Sequence, residues 1–309
     1  MLIYLPIAET TVNLFHLVGL GIVVGSISGL FGVGGGFLLT PFLLIYGVPP
    51  QVAVASVAAQ VVASSTSGAL SHYRRRAVDP KLGAVLVGGG IVGSLTGVAA
   101  FDWLSRVGQL DAMIGIGYLT LLGSIGTIML VETTRFILRG NRTQPTARRL
   151  KRRGWIEAMP LKVRFRVSGL YMSVFKVLLV GYMIGLIGAL LGIGGGFILV
   201  PALLYVLRMP SKYLVGTSLL HLTAVMAVTC YLHAWRSGSV DILLAFCLMI
   251  GSVAGAQIGT TFGRRLPAEQ LRLLLALIVL AVAARFAVGL FLYPGNLFET
   301  VEIPARLLP

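Results

Sequence analysis

Two apolar segments of this chain carry the same glycine-rich motif. Residues 31–44 read FGVGGGFLLTPFLL, and residues 191–204 read LGIGGGFILVPALL. A run of glycines breaks a helix, because glycine loses much backbone entropy on folding and has no side chain to pack. Within a bilayer, broken backbone is tolerated only where protein buries it or where it lines a polar cavity. Two copies of the motif therefore predict two helix breaks at membrane depth.

The predicted breaks are candidate sites for an anion. The N–H groups that open the half-helix after each break would point at a bound anion. The alternative is that these glycines only allow close packing between helices. A proline follows both copies, at Pro41 and Pro201, and this repetition favours a site. The candidate residues are Gly34, Gly35, Gly36, Phe37, Gly194, Gly195, Gly196 and Phe197.

The composition is that of a membrane protein. Hydrophobic residues make up 57% of the chain and charged residues 11%, and the mean hydropathy is +0.92. Apolar segments of about 20 residues, the length that crosses a bilayer, recur along the chain. The net charge of +15 does not indicate nucleic-acid binding, because ten of the 25 Lys and Arg residues fall between Arg139 and Arg166. Such clustering is typical of cytoplasmic loops.

The second half of the chain repeats the plan of the first. Helices of the first half are predicted at about 13–30, 36–46, 52–71, 82–100 and 111–137. Glycines at four-residue spacing in the fourth helix predict a face for close packing. Matching residues recur 160 to 162 positions later, and these pairs include Gly34 with Gly194, Pro49 with Pro210, His72 with His233, Asp79 with Asp241, and Gly89, Gly93 and Gly97 with Gly251, Gly255 and Gly259.

We interpret the chain as a single transmembrane domain, 1–309. Each half lacks a complete core alone, so the two halves are expected to fold together. The predicted divisions are repeat one at 13–138, a basic cytoplasmic linker at 139–166 with an interfacial helix near its end, repeat two at 167–292, and a C-terminal tail at 293–309.

Loop charges predict that the repeats are inverted. The loop at 73–81 carries four basic residues, whereas the matching loop at 234–241 carries only Arg236. Alternation of this kind places equivalent loops on opposite sides of the membrane and requires an odd number of segments in each repeat. The predicted fold class is an all-α polytopic membrane protein of two inverted repeats. Each repeat has about five segments, the glycine-broken half-helices meet near the membrane midplane, and both termini lie outside.

Neutral polar side chains after each predicted break form a second group of candidates. Four-residue spacing places Ser56, Gln60 and Ser64 on one helical face. Neutral donors and helix N-termini with no carboxylate nearby favour a small oxyanion over a cation. The alternative for each hydroxyl is a hydrogen bond to its own helix backbone. In repeat two the candidates are Thr217, Ser218 and His221, and Thr217 and His221 match Ser56 and Gln60.

Ionisable residues in apolar segments are candidates for proton coupling or anion attraction. His221 lies in the middle of its predicted helix, where it donates to an anion, carries a coupled proton, or serves a structural role. Arg285 lies 13 residues past Arg272, where it either attracts anions or snorkels to the membrane surface. For His72 and His233, at predicted helix ends, capping is the simpler interpretation.

Other chemistry has little support in the sequence. No HExxH, GxSxG or CxxC motif occurs, and the glycine-rich segments lack the GK[ST] of a nucleotide-binding loop. We therefore expect no enzyme, no metal site and no cofactor. Cys230 and Cys247 both lie in apolar segments, where they are expected to pack as small hydrophobic residues.

The chain resembles the TauE/SafE sulfite-exporter family, also called the toluene-sulfonate uptake permease family. The resemblance covers nearly all of residues 13–290 and rests on GVGGGF with Pro41, GIGGGF with Pro201, SGALSHYRRRAVD and VGTSLL…HAWRSGSVD. One departure is Ser56-Val57, where a Thr-Ser pair is expected. Repeat two has Thr217-Ser218, so it is expected to contribute more to binding. The resemblance implies a multi-pass permease of a prokaryotic inner membrane that moves sulfur-containing oxyanions such as sulfite or organosulfonates.

We therefore expect a secondary transporter that exports small sulfur oxyanions together with protons. Inverted repeats with broken helices are a transporter architecture. No ATPase motif is present, so an ion gradient or the substrate's own gradient would drive transport. The alternatives are an importer of another small anion, such as a carboxylate or thiosulfate, and a membrane receptor or assembly factor without flux. Alanine at Gly35 or Gly195 is expected to abolish transport in a folded protein.

Overall fold

The computed structural model of the chain describes residues 2–31, 35–138, 162–165, 167–207, 209–263 and 268–292. These residues form an all-α polytopic membrane protein, as the composition predicts, with a short β-hairpin ahead of the first long helix of each half. Among them, six helices are long and apolar enough to cross a membrane. The six candidate spans are Pro50–Arg74, Pro80–Val107, Leu110–Val131, Val174–Leu191, Tyr213–Arg236 and Ile242–Gly259.

The two halves have the same order of elements. The first half contains β1 (Leu2–Leu5), β2 (Thr10–Asn13), α1 (Leu14–Phe31), α2 (Gly36–Ile45), α3 (Pro50–Arg74), α4 (Pro80–Val107) and α5 (Leu110–Leu138). The second half contains β3 (Lys162–Phe165), β4 (Leu170–Ser173), α6 (Val174–Leu191), α7 (Gly196–Pro201), a π-helical turn (Ala202–Val206), α8 (Ser211–Arg236), α9 (Ile242–Gly263) and α10 (Ala268–Leu292).

Local sequence sets where several of these helices begin and end. Proline occupies the first helical position of α3 and of α4, where its missing N–H costs nothing. The Asp79 carboxylate accepts a hydrogen bond from the Leu82 N–H at 3.2 Å and so caps the N-terminus of α4. Helix α4 ends at Gly108, whose φ of +72° is a left-handed conformation that glycine adopts without strain.

The halves pack into each other rather than side by side. Helix α1 lies along α9 of the other half, and α6 lies along α4 in the matching arrangement. Helix α3 packs on α8, its counterpart, and α5 packs on α10. If each helix is replaced by its counterpart in the other half, the same set of helix pairs results. A two-fold relation between the repeats produces this pattern. The reciprocal contacts also explain why neither half has a complete core alone.

The glycine-spaced helix faces predicted from sequence are the surfaces by which the two halves contact each other. Gly89 and Gly93 of α4 face the backbone carbonyls of Leu178 and Tyr182 on α6 so closely that a β-carbon would overlap them. In α9, Gly251, Gly255 and Gly259 meet the carbonyls of Val18, Ile22 and Ser26 on α1 in the same way. Small residues thus bring these helix backbones together, as in other membrane helix pairs.

The hairpins were not expected from sequence. Strands β1 and β2 pair antiparallel with Leu2 opposite Asn13, and β3 and β4 pair with Lys162 opposite Ser173. The prediction of an interfacial helix near the end of the 139–166 linker is wrong at Lys162–Phe165, because these residues form β3. Residues 139–161 of the linker and the tail at 293–309 lie outside the described residues.

Candidate functional site

The two glycine-rich breaks meet at the centre of the bundle. A β-carbon built on Gly36 would lie 2.9 Å from the Ile193 carbonyl oxygen and 3.1 Å from that of Gly192. The aromatic rings of Phe37 and Phe197, which follow the two glycine runs, are stacked with their centroids 4.7 Å apart and their planes 8° from parallel. The structure therefore brings the candidates of both motifs together, apart from Gly34, which lies outside the described residues.

The break between α6 and α7 is built from left-handed glycines. Gly192, Gly194 and Gly195 have φ angles of +67°, +72° and +74°, conformations that other residues adopt only with strain. A β-carbon on Gly195 would lie 2.6 Å from Cγ2 of Ile184. Backbone conformation and space therefore both require glycine at position 195.

Two hydroxyls from the first half donate hydrogen bonds to backbone carbonyls of this break. The Tyr118 hydroxyl donates to the Leu191 carbonyl at 2.7 Å, and the Thr40 hydroxyl donates to the Gly192 carbonyl at 3.2 Å. Sequence reasoning missed both residues. Thr40 replaces the Val200 of the second motif, and this difference between two otherwise similar segments was the available indication.

The N-terminus of α2 faces a buried amide. Gly35 is the N-cap of α2, with φ −67° and no side chain that caps the helix. Nε2 of Gln60 lies 3.8 Å from the position of a β-carbon on Gly35. Gln60 is completely buried, and neither its amide nitrogen nor its amide oxygen has a hydrogen-bond partner. An unpaired buried polar group costs about 1–3 kcal/mol, so this arrangement favours a bound polar ligand.

His221 occupies the matching position in the second half. It is 1% exposed, and a β-carbon on Gly90 of α4 would lie 3.2 Å from its Nε2. The Leu86 carbonyl lies near the imidazole, but neither ring nitrogen has a partner with hydrogen-bond geometry. The structure thus buries Gln60 and His221 at equivalent places, each with its polar atoms unpaired.

The four hydroxyl candidates have partners within the protein. The Ser56 hydroxyl accepts a hydrogen bond from the Asp241 N–H at 3.0 Å, and the Thr217 hydroxyl accepts one from the Asp79 N–H at 3.1 Å. The Ser64 and Ser218 hydroxyls donate to carbonyls three residues earlier in their own helices. Ser64 and Ser218 therefore make the contact with their own helix that the sequence left as an alternative, whereas Ser56 and Thr217 bind backbone of the other half.

The two aspartates join these hydroxyls to the hairpins. Asp79 accepts a hydrogen bond from the Ser168 N–H at 3.0 Å, in the turn between β3 and β4. Asp241 accepts one from the Ile7 N–H at 3.2 Å, in the turn between β1 and β2. We call each set of hairpin turn, aspartate and hydroxyl a latch: Ser168, Asp79 and Thr217 form one, and Ile7, Asp241 and Ser56 form the other.

The remaining ionisable candidates lie elsewhere. Arg285 is exposed on α10, and its Nη1 lies 3.4 Å from the position of a β-carbon on Gly289. His233 lies in the last turn of α8, where capping was the simpler interpretation, and it is completely buried. Its Nε2 lies 3.4 Å from the Ala189 carbonyl of α6, and its ring meets Phe101 edge-on at 4.8 Å.

The arrangement suits binding of a polar solute. No group of three His, Cys, Asp or Glu side chains that would hold a metal ion occurs within the described residues. The start of α2 offers its backbone N–H groups and the Gln60 amide, and the equivalent place in the second half offers the His221 imidazole beside α4. Paired repeats whose broken helices meet around such a centre define a membrane transporter.

The chain belongs to the TauE/SafE sulfite exporter family, whose model matches residues 17–286. The probable membrane transporter protein YjnA of Bacillus subtilis is 29% identical over 264 residues, which cover 84% of this chain and 94% of that protein. A probable membrane transporter protein of Xylella fastidiosa is 29% identical over 278 residues, which cover 89% of this chain and 95% of that protein. Sulfite exporter TauE/SafE family protein 3 of Arabidopsis thaliana is 37% identical over 68 residues, or 22% of this chain and 14% of that protein. No solved structure matches the chain significantly.

Proposed function

We propose that this membrane transporter is a secondary transporter that exports small sulfur oxyanions, such as sulfite or short organosulfonates, with coupled protons. It works as one domain of two inverted repeats in the inner membrane of a prokaryote. The name of the matched family and the relative from Arabidopsis support sulfite as the substrate to test first.

The Gln60 amide at the N-terminus of α2 is the observation that carries this proposal. The first N–H groups of a ten-residue helix have no partner within the helix, and they carry the positive end of its dipole. The side-chain amide of Gln60 adds N–H donors beside the same N-cap. A small oxyanion satisfies both sets of donors, and it also explains why the buried amide nitrogen lacks a protein partner.

The surroundings favour an anion over a cation. Carbonyl oxygens are the groups that would bind a cation here. Two of those at the facing break accept hydrogen bonds from Tyr118 and Thr40. Asp79 and Asp241, in turn, bind the hairpin turns and the starts of α4 and α9. Beside the unpaired Gln60 amide oxygen, the N–H donors of Gln60 and of the start of α2 are left to interact with a solute.

His221 is the group that we assign to proton coupling. It is the imidazole at the position equivalent to Gln60, and it is buried without a hydrogen-bond partner. A histidine changes its charge in the physiological pH range, which glutamine does not. Proton binding at His221 together with anion binding at Gln60 would neutralise charge within the protein interior.

Sulfite exchange by purified protein in proteoliposomes tests the proposal. Wild-type protein should exchange labelled sulfite, and unlabelled sulfite and methanesulfonate should compete more strongly than acetate. Gln60→Met keeps the side-chain volume but removes the donors, so it should weaken sulfite binding roughly ten- to hundredfold, the value of a hydrogen bond to a charged group. Gln60→Glu should abolish exchange, because it places a carboxylate beside the anion.

Val62→Met on the same helix is the matched control, because Val62 is only partly buried. It should exchange sulfite like the wild type. Exchange of acetate or thiosulfate without sulfite would instead support an importer of another anion. Unchanged sulfite affinity in Gln60→Met would remove Gln60 from the site.

A further inference from the structure

We propose that α3 carries an anion-collecting vestibule that leads from Arg74 and Arg75 to Gln60, and that the second repeat has no counterpart. The proposal deepens the proposed function and rests on it, because the vestibule supplies the Gln60 site. It predicts that substrate reaches the site from one face of the membrane by electrostatic attraction, and from the other face without it.

The vestibule follows one face of α3. Gln60, Ser64, Ser67, Ser71 and Arg74 occur at intervals of three and four residues, and such positions lie above one another on a helix. The candidate site is thus connected to the end of the helix by a continuous row of hydroxyl groups.

Exposure increases along this row. Gln60 is completely buried, Ser64 is partly buried, and Ser67, Ser71 and Arg74 are exposed. At its outer end the row opens into a cleft of about 390 Å³, lined by Ser67, Leu70, Ser71, Arg74 and Arg75. The row therefore runs from an exposed cleft at Arg74 and Arg75 to the buried Gln60.

The charges at the mouth are unneutralised. Within the described parts of the chain, neither Arg74 nor Arg75 has an acidic group within salt-bridge distance. A cleft lined by one sign of charge concentrates ions of the opposite sign and raises their rate of arrival. Arg76 lies on the loop that follows Arg74, and Lys81 lies at the start of α4, and the excess of basic residues assigns this end of the two helices to the cytoplasmic face.

The matching row of α8 is apolar. The positions equivalent to Ser64, Ser67, Ser71 and Arg74 are occupied by Val225, Val228, Leu232 and Trp235. A cleft of about 440 Å³ does occur at the end of this row, but its lining includes Leu95, Val98, Leu232 and Trp235. The one arginine in its lining, Arg236, lies 3.6 Å from the Asp102 carboxylate. The cleft of the second repeat therefore lacks the hydroxyl row, and its arginine is paired with Asp102.

Sulfite transport in proteoliposomes of known orientation tests the vestibule. The Arg74→Gln/Arg75→Gln variant should raise the KM for sulfite added at the Arg74 face about tenfold, because focusing by a charged cleft changes arrival rates at least that much. The KM at the opposite face should stay unchanged. Raising the ionic strength should increase the wild-type KM towards that of the variant, because salt screens exposed charges.

Arg76→Gln is the matched control. It removes one charge from the same loop, but Arg76 does not line the cleft. Its KM should change less than twofold. An equal rise in KM at both faces, or an Arg76→Gln effect as large as that of the double variant, would overturn the proposal.

A second measurement needs no transport. In a background of Cys230→Ala and Cys247→Ala, Ser71→Cys should react faster with an anionic methanethiosulfonate reagent than with a cationic one. Adding Arg74→Gln/Arg75→Gln should lower that ratio of rates about tenfold. Leu232→Cys, at the matching position of α8, should show no preference for the anionic reagent.

These two measurements separate the possible failures. If wild-type protein exchanges no sulfite but Ser71→Cys prefers the anionic reagent, the vestibule stands and the proposed substrate is wrong. If sulfite is exchanged and the Ser71→Cys ratio does not respond to loss of the two arginines, the site stands and the vestibule is wrong.

Discussion

The two glycine-rich breaks share a motif but differ in backbone conformation and in surroundings. The break before α7 uses Gly194 and Gly195 with positive φ angles, and two hydroxyls of the other half bind its carbonyls. At the break before α2, Gly35 has a helical φ of −67° and has no β-carbon neighbour closer than 3.5 Å. At Gly195 the space for a β-carbon is filled and the backbone conformation is fixed. At Gly35 there is space for a β-carbon, and an unpaired amide lies beside it.

We propose that the two copies of the motif have separated in role. In this proposal, the break that requires glycine for its backbone conformation serves the fold, and the break where glycine leaves space next to Gln60 serves binding. The resemblance suggested that repeat two contributes more to binding. The hydroxyls of both repeats have partners, so we propose repeat one as the main contributor because of the unpaired Gln60 amide beside Gly35.

The largest effect is expected from alanine at the rigid break. Gly195→Ala places a methyl group at a φ of +74° and 2.6 Å from Ile184 Cγ2. The strain and the overlap together should cost about 2–5 kcal/mol of stability. Thermal denaturation in detergent, followed by size-exclusion chromatography, measures the loss. Gly115→Ala on α5, where nothing lies within 4 Å, is the control and should leave stability unchanged. Equal stability of the two variants would show that the break tolerates side chains.

Alanine at the other break should act on transport instead. Gly35→Ala fits the backbone without strain, so thermal stability should stay close to that of the wild type. Its methyl group, however, would lie 3.8 Å from Gln60 Nε2, between the amide and the start of α2. Loss of one hydrogen bond to the anion should lower the sulfite affinity roughly ten- to hundredfold. Full activity of Gly35→Ala in sulfite exchange would make the two breaks equivalent in role.

A smaller and symmetrical effect is expected at the latches. Ser56→Ala and Thr217→Val each leave a buried aspartate N–H without its acceptor, which should cost about 1–2 kcal/mol of stability. The KM for sulfite should not change in either variant. A rise in KM without a loss of stability would return these hydroxyls to the binding site.

The smallest effect on exchange is expected at His221. His221→Gln makes the second half match Gln60 of the first, so exchange of sulfite for sulfite should continue at the wild-type rate. The variant should fail to move sulfite against its gradient, and the pH dependence of transport should flatten, because glutamine carries no proton. Uphill transport with an unchanged pH profile would instead assign His221 a structural role.

Hydropathy and repetition were sufficient to predict the helices but less so their ends. The predicted helix at 36–46 agrees with α2 (Gly36–Ile45), whereas the predicted helix at 82–100 is shorter than α4 (Pro80–Val107). Apolar character stops before the helix does, because polar residues near its end, such as Asp102, are helical as well. The two hairpins escaped prediction for a related reason. An isolated two-stranded hairpin is marginal in water, and here the Asp79 and Asp241 carboxylates of the other half bind its turn.

The centre of the molecule was predictable in position but not in detail. The repeated glycines indicated that two breaks meet, and the Gln60–His221 correspondence followed from alignment of the halves. The stacking of Phe37 on Phe197 and the bonds from Tyr118 and Thr40 depend on how the halves dock, which no local pattern encodes. The correspondence of Asp79 with Asp241 was visible, but its meaning required the hairpins.

The latch at Asp241 also constrains how the chain is made. Ile7 and Asp241 are separated by 234 positions, and Ser56 and Asp241 by 185. During synthesis, the β1–β2 hairpin and α1 emerge well before α9, and neither can complete its contacts until α9 has left the ribosome. The order of translation is therefore not the order of completion.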